Sequence, residues 1–136
     1  MHMLPALLLF SAAGGASSAP DIAGLWLTDD QKGMVQIAPC GAQMCGHIAR
    51  VLDKAPHVPR TDINNPDPRL RSRPIIGLVT LWGFTRSGSI WKGGRAYDPK
   101  TGKSYRASLA LNADGTLKVT GCVLFICQSR RWSRAR

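Results

Sequence analysis

The 136-residue chain contains no glutamate. Its only acids are eight aspartates, at positions 21, 29, 30, 53, 62, 67, 98 and 114, against 18 Lys and Arg, which leaves a formal net charge of +10. Chemistry that needs a Glu acid, a Glu nucleophile or an HExxH metal site is therefore excluded. Glu and Lys are also the usual fillers of exposed helix faces, so their scarcity argues against a helical protein. Histidine is scarce as well: beyond His2 there are only His47 and His57. Two are too few for a His-rich metal site, and no nucleophile-elbow spacing fixes a catalytic triad. No catalytic residue, metal or cofactor is expected, and an enzyme ranks below a binding or structural protein. Nor is any apolar run long enough to span a bilayer as a helix.

The longest apolar run, Leu4 to Ala13, is followed by Gly14-Gly15-Ala16-Ser17-Ser18-Ala19. This order matches the apolar core and small-residue cleavage region of a secretory signal peptide, although Met1-His2-Met3 lacks Lys or Arg and Pro20 follows the cut. Residues 1–19 are therefore expected to be a signal peptide, and 20–136 a single exported domain. The four cysteines form two equally spaced pairs, Cys40/Cys45 and Cys122/Cys127. Of the three possible connectivities, the two local links are preferred, because each would close a short hairpin. A four-thiolate zinc site is the rival, with wider spacing than zinc knuckles usually have.

Beyond the signal region, apolar residues alternate with period two, the signature of half-buried strands. Strands are predicted over Gly24–Thr28, Met34–Ala38, His47–Leu52, Leu78–Phe84, Ser89–Tyr97, Ser104–Leu111, Thr116–Gly121 and Ser129–Arg134. Turn-sized links join them, among them Asp98-Pro99-Lys100-Thr101-Gly102 and Asn112-Ala113-Asp114-Gly115. Sequential antiparallel strands without crossover helices predict an all-β, up-and-down barrel of about eight strands. Such a barrel has room for packed side chains or for one small ligand. Alternation nominates Trp82, Phe84, Tyr105 and Leu109 as interior, ligand-binding positions. Residues 53–77 break the rhythm, with five of the nine prolines. There Asp67-Pro68 is a good N-cap and first-turn pair, predicting a helical turn over Pro68–Ser72 inside a long Pro-rich loop.

The block from Thr61 to Pro74, with Asp62, Asn64, Asn65, Asp67, Arg71 and Arg73, followed by Gly77-Leu78, resembles the signature of domain-of-unknown-function family 2147. Gly24-Leu25-Trp26, the run Gly94–Pro99 with Gly102-Lys103, Trp132-Ser133-Arg134, and the Pro39-Cys40-Gly41 and Cys45-Gly46 positions agree. That resemblance covers residues 22–135 and implies a small exported, periplasmic or secreted protein of Gram-negative bacteria; it implies no activity. A Gly-x-Trp opening the first strand and an Arg on the last also resemble lipocalins and their calycin relatives. This second resemblance implies that Gly24 gives a tight entry, Trp26 plugs the barrel base and Arg134 stacks on it.

Three features carry competing functional readings. Asp62, Asn64, Asn65 and Asp67 offer loop oxygens, yet Pro66 holds an alternate position and no turn glycine follows, so capping and Asx-turns suit them better than calcium. Arg71 and Arg73 are free to pair with Asp62 or Asp67. The basic balance, concentrated at Arg69, Arg71 and Arg73 and at Arg130, Arg131, Arg134 and Arg136, suits an anionic lipid or glycan surface if it is more than a solvated face. Export argues against nucleic acid. Val123-Leu124-Phe125-Ile126, between the last two cysteines, is apolar where a hairpin tip is normally polar. It is expected to pack against the barrel mouth, ahead of contacting lipid or a partner. The preferred function is binding a small apolar or amphipathic molecule inside the barrel. The alternative is a non-catalytic envelope protein with a filled barrel that meets anionic lipid or glycan through its Arg-rich surface.

Overall fold

The computed structural model describes Met3 and residues 21–135, so the expected signal peptide lies outside the described residues. Eight strands run in chain order: β1 Gly24–Leu27, β2 Gly33–Cys40, β3 Gln43–Val51, β4 Val79–Ser87, β5 Ile90–Asp98, β6 Lys103–Leu111, β7 Leu117–Val123 and β8 Ile126–Arg134. Each pairs antiparallel with the next, and β8 returns to β1 through Trp26 opposite Arg134, closing the barrel. The expected all-β, up-and-down architecture is what forms. The strands are mostly longer than the alternation suggested. Both local disulfides are present, Cys40–Cys45 tying β2 to β3 and Cys122–Cys127 tying β7 to β8.

Because the strands alternate in direction, the β2–β3, β4–β5 and β6–β7 turns lie at the end where β1 begins. The β1–β2, β5–β6 and β7–β8 turns and the long loop lie at the other. The first end is closed. Trp26, fully buried, donates its indole N–H to the Ile22 carbonyl at 2.9 Å and packs with Ile22, Phe84, Met44, Leu109, Leu117 and Trp91. Arg134 places its guanidinium 4.3 Å from the Trp26 ring and donates to the carbonyls of Ala23 and Asp21, both at 3.0 Å. A side chain at Gly24 would collide with that guanidinium, which explains the glycine. The structure thus brings Gly24, Trp26 and Arg134 together at this end.

One part of the alternation reading is corrected. Gly83 has φ +82°, outside the strand region, and the two-residue period breaks there. Leu81 and Phe84 are both in the core, whereas Trp82 joins a separate cluster with Ile75, Leu78 and Tyr97. The Phe84 ring fills the space that a side chain at Gly94 would need. A second correction concerns Val123–Ile126. Far from packing against the mouth, all four residues are exposed, and Phe125 is 100% so.

Candidate functional site

The open end of the barrel is a cup of about 640 Å³. Its walls come from the inward faces of several strands: Val35, Ile48, Leu81, Ala96, Tyr105, Val119 and Trp132. Val35, Leu81 and Val119 also belong to the core cluster, so they form the floor. The rim is polar, with Asp29, Asp30, Lys32, Arg50, Asp53, Asp98, Lys100 and Arg130 around the opening. An apolar bowl with a charged lip is the geometry that retains an apolar body and leaves a polar group in water.

The long loop completes one wall, through Val58, Pro59, Thr61 and Ile75. It is held rigid by one buried carboxylate. Asp62, 0% exposed, accepts at Oδ1 from the Tyr97 hydroxyl at 2.5 Å, and at Oδ2 from Asn65 Nδ2 at 2.8 Å and Arg73 Nη2 at 2.9 Å. Burial alone would raise the Asp62 pKa, but donation from Tyr97, Arg73 and Asn65 outweighs it and holds the carboxyl below its ordinary value. Burial pushes the Tyr97 hydroxyl up to about 12, helped by the carboxylate it donates to. A Thr61–Pro74 bridge and the Asp62 N–H bond to the Arg73 carbonyl close the base of the loop. Within it, Asp67 caps a 3₁₀ turn over Pro68–Leu70, slightly shorter than predicted, and Arg71 donates to the Asn65 carbonyl at 2.8 Å. Asn64 Nδ2 reaches the Pro99 and Lys100 carbonyls, both at 3.2 Å, docking the loop on the β5–β6 turn. A side chain at Gly102 would strike the Asn64 carbonyl, so this contact requires glycine. Of the loop side-chain oxygens, those of Asp62, Asn65 and Asp67 are engaged in internal bonds.

A brace crosses the opening. Lys100 Nζ, on the β5–β6 turn, lies 2.6 Å from Asp30 Oδ2, on the β1–β2 turn. These turns stand four strands apart in a ring of eight, so the ion pair spans the cup. Partial burial would raise the Asp30 pKa, but Lys100, Thr28 and the Lys32 backbone N–H lower it to about 2. Asp29 with Arg130 at 3.8 Å and Lys32 with Asp53 at 3.9 Å add to the charged lip.

Of the four nominated ligand positions, Tyr105 lines the cup. Phe84 and Leu109 lie deeper, in the closed core, and Trp82 sits in the cluster under the long loop. Sequence reasoning missed Val35, Ile48, Leu81, Ala96, Val119 and Trp132. Alternation does mark Val35 and Val119 as inward, but nothing in the sequence says which end of the barrel stays open. Of the arginines proposed for an outer surface, Arg73 is taken by Asp62, Arg71 by Asn65, Arg130 by Asp29, Arg131 by Asp114 and Arg134 by the base.

Among known proteins, the model of a family described as "Uncharacterized protein conserved in bacteria (DUF2147)" matches residues 24–134. No curated protein matches. A solved structure, protein HP1028 from Helicobacter pylori, described as belonging to the lipocalin family, is similar with a TM-score of 0.74 and 24% identity. The match covers 84% of this chain and 82% of that one, and it shows a shared fold.

Proposed function

Since the chain belongs to the bacterial DUF2147 family and folds as a lipocalin-like barrel, we propose that it is a binding protein that holds a small apolar or amphipathic molecule in its cup. The observation that carries this reading is the one-ended cavity of about 640 Å³ with apolar walls and a charged rim. A barrel filled by its own side chains would lack that space, which disfavours the alternative of a purely structural envelope protein. Among the described residues no group of three or more His, Cys, Asp or Glu is placed to hold a metal. At the rim Asp29, Asp30 and Asp53 are paired with cations, an arrangement suited to binding rather than to acid–base chemistry. Two disulfides fit an extracellular or periplasmic compartment. We take residues 1–19 to be the export signal and the remainder to be one domain.

A fluorescent long-chain fatty acid serves as the probe. It binds the full chain, and Ala96→Phe or Val119→Phe, each adding a ring to the cup, weakens binding at least tenfold with an unchanged circular dichroism spectrum. Absence of fatty-acid binding by the parent protein, combined with native mass spectrometry of periplasmic material that shows no retained adduct, overturns the reading. So does binding that both ring insertions leave intact.

A further inference from the structure

The β7–β8 hairpin ends in a two-residue turn, Leu124-Phe125, flanked by the paired Val123 and Ile126. Turns of this length favour Asn and Gly, because their first residue adopts positive φ. Here that residue is Leu124, at φ +54°, a conformation costly for a bulky side chain. The Cys122–Cys127 disulfide locks the strands directly behind the turn. Arg106 Nη2 also donates to the Leu124 carbonyl at 2.7 Å. The result is a braced, strained knob of four apolar side chains presented to water, with Leu124 77% and Phe125 100% exposed. The turn lies at the same end of the barrel as the cup opening.

The surface beside the knob is cationic. Arg95 and Arg106 sit directly opposite each other on β5 and β6, both exposed. Like charges at directly opposed positions repel, so the pair is unfavourable until an anion comes between them. No internal acid answers them. Seven of the eight aspartates are engaged with other cations among the described residues, and Asp98 caps its own turn at the Lys100 N–H. Arg95 and Arg106, together with Cys122 and Cys127, line a shallow groove between β5, β6 and the hairpin.

We propose that the β7–β8 knob and the Arg95–Arg106 pair form one docking surface for an anionic phospholipid membrane. Leu124 and Phe125 enter the acyl boundary while the two guanidiniums take headgroup phosphate. Neither half suffices alone: a short apolar tip gives weak partitioning, and two cations give weak, salt-sensitive attraction. Together they orient the barrel with its opening toward the bilayer. This surface is separate from the cup, and membrane binding does not depend on the cup being occupied. It does extend the ligand reading, by making bilayer amphiphiles the class of molecule within reach of the opening.

The test is co-sedimentation of the full chain with vesicles of phosphatidylglycerol and phosphatidylethanolamine, against phosphatidylcholine alone. The protein pellets with the anionic vesicles at least tenfold better than with the neutral ones, and 0.5 M salt reduces the difference. Phe125→Asp lowers binding at least tenfold, and the double substitution Arg95→Ala with Arg106→Ala lowers it at least fivefold. Phe125→Asp keeps the parental melting curve, both variants keep the fatty-acid affinity of the cup, and Ala96→Phe keeps vesicle binding. Anionic vesicles that fail to pellet the parent protein, or that pellet Phe125→Asp equally well, overturn the proposal. A dimer in solution that Phe125→Asp dissolves, without vesicle binding, overturns it in favour of a second copy of the chain. Loss of fatty-acid binding alone touches only the cup.

Discussion

Replacing Asp62 is the sharpest test of how the long loop is held. Asp62→Ala leaves the buried Tyr97 hydroxyl and Asn65 Nδ2 without their acceptor, while Arg73, its side chain 39% exposed, turns part of its guanidinium to water. Removing one partner of a fully buried charged pair costs about 3–5 kcal/mol, and the exposure of Arg73 puts this pair at the lower end, about 3 kcal/mol. Tyr97→Phe removes one hydrogen bond to a charged acceptor and costs about 1.5–3 kcal/mol. Urea unfolding at pH 7 reads both: with a slope of about 1.5 kcal/mol per M, a loss of about 3 kcal/mol lowers the midpoint by roughly 2 M. The two substitutions in one chain cost less than their sum, because they remove the same bond. The pair also fixes a pH window. A hydroxyl raised from 10.0 to about 12 stabilises the fold fully below pH 10 and loses that contribution as pH climbs toward 12. A shift of two pKa units corresponds to roughly 3 kcal/mol. Tyr97→Phe is flat over that range where the parent falls. At the acid end the lowered Asp62 value means stability is kept above pH 4 and lost as pH drops through the folded-state value. An Asp62→Ala loss under 1 kcal/mol, or parallel alkaline curves for the parent and Tyr97→Phe, refutes the hub.

Two further substitutions separate the ends of the barrel. Lys100→Ala removes the brace across the opening; stopped-flow measurement with the fatty acid shows faster entry and exit, while global stability changes by less than about 1 kcal/mol because the pair is exposed. Unchanged exchange rates would mean that the brace does not gate the cup. At the closed end, Arg134→Ala loses the stacking on Trp26 and two hydrogen bonds, costing about 2–3 kcal/mol in urea without altering cup affinity. Arg134→Lys recovers little of it, since a lysine cannot both fork and stack; full recovery would reduce the role to simple charge.

The barrel was legible because its information is local. Period-two patterning marks strands, paired cysteines mark hairpins, and Asp67-Pro68 marks a helical start, each without reference to the rest of the chain. What escaped depends on distant parts meeting. Trp82 shares a parity with Phe84 in the sequence, and only the positive φ of Gly83 moves it to the other side. The Arg73–Asp62 pairing was open to reading within one block of sequence, whereas Arg130 and Asp29 lie in opposite halves of the chain and meet only where the barrel closes. Arg95 and Arg106, which have no acid partner among the described residues, stand apart in the sequence; only strand register makes them neighbours. Val123–Ile126 was read by the rule that apolar residues seek cover, and a two-residue turn held between disulfide-bonded strands has none within reach.

The sealed base gives the barrel a direction of traffic. With Trp26 and Arg134 closing one end, whatever occupies the cup arrives and departs through a single door, so nothing can be threaded through. A molecule with one polar group would go in tail first and come out head first, its polar end always nearest the rim. Its residence time and its loading time are then set by the same few contacts, those of Asp30 and Lys100 among them, and a change that eases delivery eases leakage equally.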